Sequence, residues 1–400
     1  VPAGSVAVAG GFASIYPQAT PGGWMLMGRT GTRLFDPDHP PYALLRPGDR
    51  VRFSVRDADR APATHADPEA PIAGPRPTLR ATGRRFIEVL DPGLLSLVED
   101  GGRRSVGGLG VPRGGPADSA TMRLANRLVG NPDGCAAIEV TASGPTLKIS
   151  GDAHLGAVAS RPDGVEVQID GYPVGADVVI PVRHGQVVTV GRVRSGLRAY
   201  LAVSGGIENP PVVGSRSTDL LSGIGPGPLM AGDQLDLGAP SRPHGQLSPP
   251  LEGATGHRPA VIRVLAGPHR LPRSKEDPLA AGPWTVADAS NRIGLRLRGP
   301  WPSPPPGGAQ IRPMGMITGA IQLPPDGNPI ILMPDHATTG GYRVVACVIA
   351  ADLPLLGQLG PGDTVAFTYV DRPTARRHYL EQERLLGARV TGWFPTEAAT

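Results

Sequence analysis

The chain has 400 residues, with 56 glycines, 47 prolines and only 4% aromatic residues. It can hold two or more cores of roughly 100 to 200 residues each, and its turn formers favour short strands over long helices, so a mainly β fold is expected. The net charge of +4 is mild, and basic residues are neither gathered into runs nor interleaved with aromatics, which argues against nucleic-acid binding.

Several chemistries are excluded by missing motifs. Lysine occurs only at Lys148 and Lys275, so there is no Gly-Lys-Ser/Thr phosphate loop, and neither lysine sits in a setting like that of a biotinylation site. There is no Gly-x-Ser-x-Gly elbow, no His-Glu-x-x-His and no Cys-x-x-Cys, and no histidine spacing suggests a metal site. Cys135 and Cys347 sit in CAAIEV and VVACVIA, which suits buried thiols in a reducing compartment. With no basic-then-apolar leader and no apolar run of about 18 residues, a cytoplasmic protein that does not span a membrane is expected.

In chain order, residues 1–57 read as short strands ending in LLRPGDRVRFSV, whose alternation fits a half-buried strand. This piece is too short to bury a good core alone. Residues 58–84 are rich in Pro, Ala and charge without apolar periodicity, so a flexible linker is expected. Residues 85–238 form a first β domain with one helix in PADSATMRLANRLVGNP. There Pro116 suits the first turn, Met122, Ala125, Leu128 and Val129 make an apolar stripe, and Gly130-Asn131-Pro132 stops the helix, which is expected to lie across a barrel end. A second linker spans 239–259, a second β domain 260–370, and a helix and tail 371–400, with Tyr379, Leu380 and Leu385 at helical spacing.

A weak internal repeat runs through these parts. Pro47-Gly48-Asp49, Ala231-Gly232-Asp233 and Pro361-Gly362-Asp363 each precede an alternating final strand, and Gly22-Gly23-Trp24 echoes Gly340-Gly341-Tyr342. Related β modules occurring up to three times would explain this; a common Pro-Gly-Asp turn would too.

Polar chemistry concentrates in Ile317–Tyr342, ITGAIQLPPDGNPIILMPDHATTGGY. An apolar run at Ile330–Met333 reads as a buried strand, and Asp335, His336, Thr338, Thr339, Gly340 and Gly341 follow in a loop. Asp335 and His336 either exchange a proton with a substrate nitrogen, the carboxylate raising the imidazole pKa, or make an Asx turn and a bond to a neighbouring carbonyl. The threonines and glycine amides either donate to an anion or form a β-bulge. Gln322 and Pro324 would be a further wall of the same pocket. Arg292, Arg296 and Arg298 alternate with apolar residues, placing them on one strand face that clamps an anion or meets solvent. Upstream, Arg113, Gly114, Gly115 and Asp118 lead into the helix, an anion site or a cap, with Asn126 and Glu139 as buried polar partners. Glu139 is then an acid–base group or a paired core carboxylate. Ser215, Ser217, Thr218 and Asp219 read as a loop bonded within itself.

The blocks GLGVPRGGPADSATMRLANRLVGNPDGCAAIEV, GLRAYLAVSGGI, GSRSTDLL, SNRIGLRLRGP and ILMPDHATTGGYRVVACVIAADLPLLGQLGPGDTVAF, in this order, resemble the allophanate hydrolase subunit 2 family. This family is also known by the C-type subunit of 5-oxoprolinase, or as biotin-dependent carboxyltransferase-like. Residues 1–53 separately resemble the C-terminal end of the companion subunit 1 family, to which the B-type subunit of 5-oxoprolinase belongs. The resemblance implies cyclophilin-like β-barrel modules and a hetero-oligomer with a subunit 1-like, B-type chain. In one branch a third 5-oxoprolinase subunit joins them for ATP-dependent opening of 5-oxoproline. ATP is then bound by the complex or by this chain. Other branches imply transfer of a carboxyl group from carboxybiotin to urea, or a regulatory module that antagonises a kinase inhibitor. Asp335, His336 and Glu139 are the catalytic candidates. Arg113, Gly115, Asp118, Asn126, Arg292, Arg296, Gln322, Thr338, Thr339, Gly340, Gly341 and Tyr342 are the substrate-binding ones. Two departures bear on this: Gly114-Gly115-Pro116-Ala117-Asp118 stands where the family has Ser-Gly-Pro/Ala-Met-Asp, and Ala337 where it has glutamine.

Overall fold

Alternating apolar residues in short runs between glycine turns give strands with one buried face, and most of the chain is built that way. A computed structural model describes residues 1–55 apart from 18, 20–22 and 47, then 78–243, 247, 260–269, 279–280, 282–299 and 310–389. The chain divides into two bodies, Val1–Pro77 and Thr78–Thr400.

In the first body, Ser5–Ala9 pairs antiparallel with Phe12–Ile15 and, on its other side, with Met25–Arg29. Gly10 and Gly11 both take positive φ between the first two strands, as a two-residue hairpin with right-handed twist requires. Met25, Leu26 and Met27 are exposed. The strand expected in LLRPGDRVRFSV does not form: residues 51–55 are extended without a ladder partner among the described residues, and alternation alone cannot hold a strand without one. Pro21, Gly22 and Pro47 of the repeat lie outside the described residues, as do most of the linkers at 58–84 and 239–259 and the tail from 390.

The second body holds two β modules. In the first, a six-stranded sheet runs in the order Tyr172–Val174, Val165–Ile169, Val187–Val193, Thr146–Ser150, Phe86–Asp91 and Gln234–Asp236. A five-stranded sheet runs Val179–Val182, Ala153–Ala159, Arg198–Val203, Ala137–Thr141 and Leu95–Glu99. Ile87, Val98, Ile138, Val140, Leu147, Leu155, Val188 and Leu201 fill the core between them. In the second module, Ala260–Ala266 pairs parallel with Thr364–Tyr369 and antiparallel with Thr339–Val348. These pairings close a seven-stranded barrel around Ile262, Val264, Trp284, Leu297, Ile331 and Phe367, with Gln310–Gly315 added outside.

The Gly-Asp repeat is a real structural unit. In each copy Gly takes positive φ, at Gly48, Gly232 and Gly362, the position where a type II turn favours glycine. Each Asp N–H donates to the carbonyl three residues back, on Arg46, Met230 and Gly360, at 3.0 to 3.1 Å. Each Asp carboxylate in turn accepts from that same residue's N–H, at 2.8, 2.8 and 2.7 Å. A fourth copy was not legible as such: Arg183-His184-Gly185-Gln186 makes both bonds with a glutamine oxygen instead of a carboxylate.

Three expectations change. Residues 78–84 are not linker, because Leu79 N–H donates to Asp233 and the Thr82 and Gly83 N–H groups to Asp236, tying this segment to the first module. The helix Ser119–Leu128, here α1, lies on the face of the five-stranded sheet rather than across a barrel end. Leu128 and Ala125 close on Gly156, where a Cβ would come within 3.0 Å of the Leu128 side chain. After the short helix Leu353–Leu356, α2, the chain ends its described part in Arg372–Ala388, α3, which buries Leu386 while Tyr379 and Leu380 stay exposed. Its anchor is polar: Glu383 accepts both terminal guanidinium nitrogens of Arg123 at 2.7 Å.

Asp233 is fully buried and satisfies the backbone N–H groups of both Leu79 and Met230. Asp233→Ala strands both donors, so unfolding by denaturant should show a loss of roughly 2–4 kcal/mol. A change below about 0.5 kcal/mol would mean the turn does not organise the module.

Candidate functional site

The two modules of the second body meet along the segment entering α1. Gly114 and Gly115 take positive φ, which turns the chain so that Pro116 and Ala117 reach the second module, where Ala117 joins the barrel core. Asp118 then caps α1, accepting from Thr121 N at 2.9 Å and Thr121 Oγ1 at 2.6 Å. A cleft of about 470 Å³ opens beside this segment. Its walls are Gly101, Arg104, Arg113 and Ser119 from the first module, Thr318, Met333 and Pro334 from the second, and Tyr379 and Gln382 from α3.

Directly behind the Pro116–Ala117 and Met333–Pro334 walls lies a buried ionic cluster centred on Arg292. Its guanidinium bonds Asp335 through Nε and Nη2, each at 2.9 Å, Glu139 through Nη1 at 2.6 Å, and the Gly115 carbonyl at 2.7 Å. Glu99 stands 3.2 Å from the same Nη2. Glu139 also accepts from Ala117 N, from the Tyr200 hydroxyl and from Arg198 Nε. Arg198 reaches on to the Gly357 carbonyl, and Gln358 bridges Asp118 to the Leu197 and Arg198 amides. The cluster therefore rivets α2 and the barrel to the first module.

Protonation follows from who has donors. Burial opposes the charge on Glu139, but Arg292 and Arg198 outweigh it and hold its carboxyl below the usual range. Burial pushes Asp335 up against the opposing pull of Arg292. No well-aligned hydrogen bond reaches either oxygen of Glu99; burial, together with the neighbouring Glu139 and Asp335 charges, drives it well above the usual range despite Arg292 and the Ser217 hydroxyl. Of the three carboxylates, Glu99 is the one whose charged form is least favoured. Tyr200 is held as a neutral phenol by burial and by Glu139.

Of the residues singled out from sequence, the fold brings together Asp335, Glu139, Arg292 and Gly115 in the cluster, with Asp118 at its edge and Arg113 on the cleft wall. The others go elsewhere. His336 does not pair with Asp335: its Nδ1 is 2.8 Å from the Ala337 carbonyl, so Nδ1 carries the proton, and burial lowers its pKa rather than a carboxylate raising it. Thr339–Val348 is strand, so Gly340 pairs with Met314 instead of forming an anion-binding loop, and the ladder register breaks between Gln310 and Met314, opposite Gly341, in keeping with the β-bulge alternative. A Cβ at Gly340 would lie 2.5 Å from Gln322 Nε2, so a larger residue there would have to move that side chain. Gln322 is buried beside Met316, and Thr338, Thr339 and Tyr342 lie on this strand pair, apart from the cleft lining. Arg292 precedes the strand Gly294–Arg298 and turns inward, whereas Arg296 and Arg298 face solvent; the three do not form one clamp. Asn126 staples the end of α1 to the Cys135 carbonyl and Asn131. Ser215 and Ser217 bond Asp100 from another segment rather than only one another. Ala337 is exposed, and both cysteines are free, with burial raising their pKa values.

Sequence reasoning missed Glu99, Arg198, Tyr200 and Gln358. The available signal was charge inside apolar runs: Glu99 ends LSLVE and Arg198 opens RAYLAV, and ionised groups are rarely buried without partners. Among the described residues no group of three His, Cys, Asp or Glu side chains is placed to hold a metal ion, and no helix is long and apolar enough to cross a membrane.

The family model of the carboxyltransferase domain, subdomains A and B, matches residues 109–369, and that of subdomains C and D matches residues 1–45. The C-type subunit of 5-oxoprolinase from Escherichia coli K12 is 35% identical over 304 residues, covering 75% of this chain and 96% of that protein. The B-type subunit of 5-oxoprolinase from E. coli O157:H7 is 58% identical over 53 residues, covering 13% of this chain and 24% of that protein. A crystal structure of TTHA0988 superposes with a TM-score of 0.80 at 37% identity, covering 92% of this chain and 71% of that one.

Because folding raises the Glu99 pKa, the folded state keeps a proton that the unfolded chain releases above about pH 4.5. The stability from Glu99 is full below that pH and falls as pH rises towards the folded pKa. Glu99→Gln removes this decline, so unfolding measured across pH 5–9 should show the variant gaining on the parent as pH rises; parallel curves would refute a protonated Glu99. Arg292→Met, which leaves the carboxylates uncompensated, should cost about 3–5 kcal/mol.

Proposed function

This chain belongs to the carboxyltransferase-domain family of subdomains A and B, and on that footing we propose that it is a subunit of an ATP-dependent amidohydrolase complex of 5-oxoprolinase type. The observation that carries the reading is the coexistence on one chain of two kinds of segment. One is similar to nearly the whole of the C-type subunit, the other to about a quarter of the B-type subunit. A chain carrying both works with a B-type partner. The substrate is a cyclic amide whose C–N bond is opened by water. ATP, held by the complex, supplies activation of the amide oxygen as a leaving centre.

Within this reading the residues of the chain have distinct tasks. The cleft between the modules receives the substrate, with Pro116, Ala120, Leu353 and Tyr379 offering apolar surface to a ring. The Arg292 cluster behind the wall holds Pro116, Ala117, Met333 and Pro334 in place, and its hydrogen bonds keep both modules registered during turnover. Asp335 and Glu139 are positioning residues, since all their described bonds run to arginines, to Tyr200 and to backbone amides. His336 presents a neutral ring near the seam. Carboxyl transfer from carboxybiotin to a urea-like acceptor is the rival reading, favoured by the match to a carboxyltransferase domain, and it needs no ATP at this complex.

The test is reconstitution with the B-type partner and the third component, followed by glutamate release from 5-oxoproline. Release should require ATP and all partners, with the isolated chain nearly inactive. A verified complete complex that yields no glutamate sinks the assignment, and carboxybiotin-dependent product formation without ATP replaces it with the rival.

A further inference from the structure

The loop running from Arg103 to Arg113 is pinched at its neck, where Arg103 N–H donates to the Arg113 carbonyl at 2.7 Å. The pinch tolerates no side chain, since a Cβ on Gly102 would lie 2.8 Å from that carbonyl, and Gly102, Gly114 and Gly115 all take positive φ around it. Three of the arginines of this region meet different fates. Arg103 turns inward, is 1% exposed and bonds the Val212 and Ser217 carbonyls. Arg104 and Arg113, on either side of the neck, instead line the cleft wall.

These two guanidiniums have no acidic partner among the described residues. The acids close by are already committed. Asp133 is bonded by Arg123 and Arg127, Glu383 by Arg123, and Asp100 by Ser215, Ser217 and the Arg216 and Gly102 amides. Two like charges on one wall repel unless an anion lies between them. Arginine's planar fork suits a carboxylate. The rest of the cleft selects what carries that carboxylate: at about 470 Å³ it has room for a small ring, and Pro116, Ala120, Leu353 and Tyr379, all at least partly exposed, give an apolar surface.

We propose that Arg104 and Arg113 form the anion anchor of this cleft, binding the carboxylate of a small cyclic acid whose ring rests on the apolar wall. The site lies outside Asp335 and His336, and outside the strand carrying Thr339, Gly340 and Gly341. It rests on the functional reading above for the identity of the ring, but the anchor itself needs neither ATP nor partners.

The experiment is equilibrium binding of 5-oxoproline to the full chain. The neutral control is 2-pyrrolidone, the same ring without the carboxylate, and inorganic phosphate is the competing anion. 5-Oxoproline should bind, and 2-pyrrolidone should bind roughly ten- to a hundredfold more weakly, the scale of hydrogen bonds to a charged group. Arg113→Gln should weaken 5-oxoproline by roughly tenfold or more, and the Arg104→Gln, Arg113→Gln double variant should abolish it, with 2-pyrrolidone unaffected. Both side chains are exposed, so circular dichroism and Tm should match the parent. Absent binding of 5-oxoproline to the parent chain, unchanged binding in the double variant, or equal binding of the neutral ring overturns the anchor. Phosphate displacing 5-oxoproline more effectively than acetate reassigns the site to phosphate and overturns the carboxylate class. If 5-oxoproline binds through these arginines yet the reconstituted complex releases no glutamate, the catalytic assignment fails alone. If glutamate is released and the double variant leaves KM unchanged, the anchor fails alone.

Discussion

Arg292 is the interaction on which the second body depends. It is contributed by the barrel, yet three of its contacts, Glu99, Glu139 and the Gly115 carbonyl, belong to the first module, and Asp335 closes the set from its own side. A fully buried guanidinium is expensive to desolvate, and only several well-aligned acceptors offset that cost. The geometry is therefore demanding in both modules at once, and it sets how the α1 entry, α2 and the barrel meet. The cleft exists because this joint holds Pro116 and Ala117 against Met333 and Pro334.

Around that joint, the chain reuses one local device. The Gly-Asp turn closes on itself through two hydrogen bonds before a strand in both modules, and the first body carries the same turn without a strand after it. Such a turn needs only local residues, so it can be copied from module to module without regard to tertiary surroundings. The copy at Arg183–Gln186 shows that the acceptor oxygen, not the charge, is what the turn requires. The same tolerance explains why the repeat was weak as a sequence signal.

Charge inside the joint is less balanced than a simple ion pair. Glu139 collects four donors and Asp335 three, whereas no well-aligned hydrogen bond reaches Glu99. Burial and the neighbouring carboxylates favour the neutral form of Glu99, whereas Arg292 and Arg198 hold Glu139 in its charged form. In contrast, Arg104 and Arg113 are left outside this balance, facing the cleft. The buried arginine thus serves assembly while the exposed ones remain available for a ligand, and residue type alone does not tell these roles apart.

The mainly β fold, the α1 helix with its Gly130 stop, and the glycine turns were legible in the sequence because each depends on residues close together in the chain, although α1 starts at Ser119 behind the Asp118 cap and leaves Pro116 outside its first turn. Asp335, Glu139, Arg292 and Gly115 stood out in the sequence one by one, but not their mutual contact. Distant segments met in ways no local pattern could indicate. Where local readings were left open, the structure took the neighbouring carbonyl for His336 and the strand irregularity for Gly341, while Arg292 parted from Arg296 where the chain enters the strand at Gly294 to reach Glu139 and Gly115 in the other module. Only tertiary structure decided which polar residues were buried together, because the cost of desolvating a charge depends on partners far along the chain, such as Arg292 for Glu99, 193 residues away (292 − 99), and Gln358 for Asp118, 240 residues away.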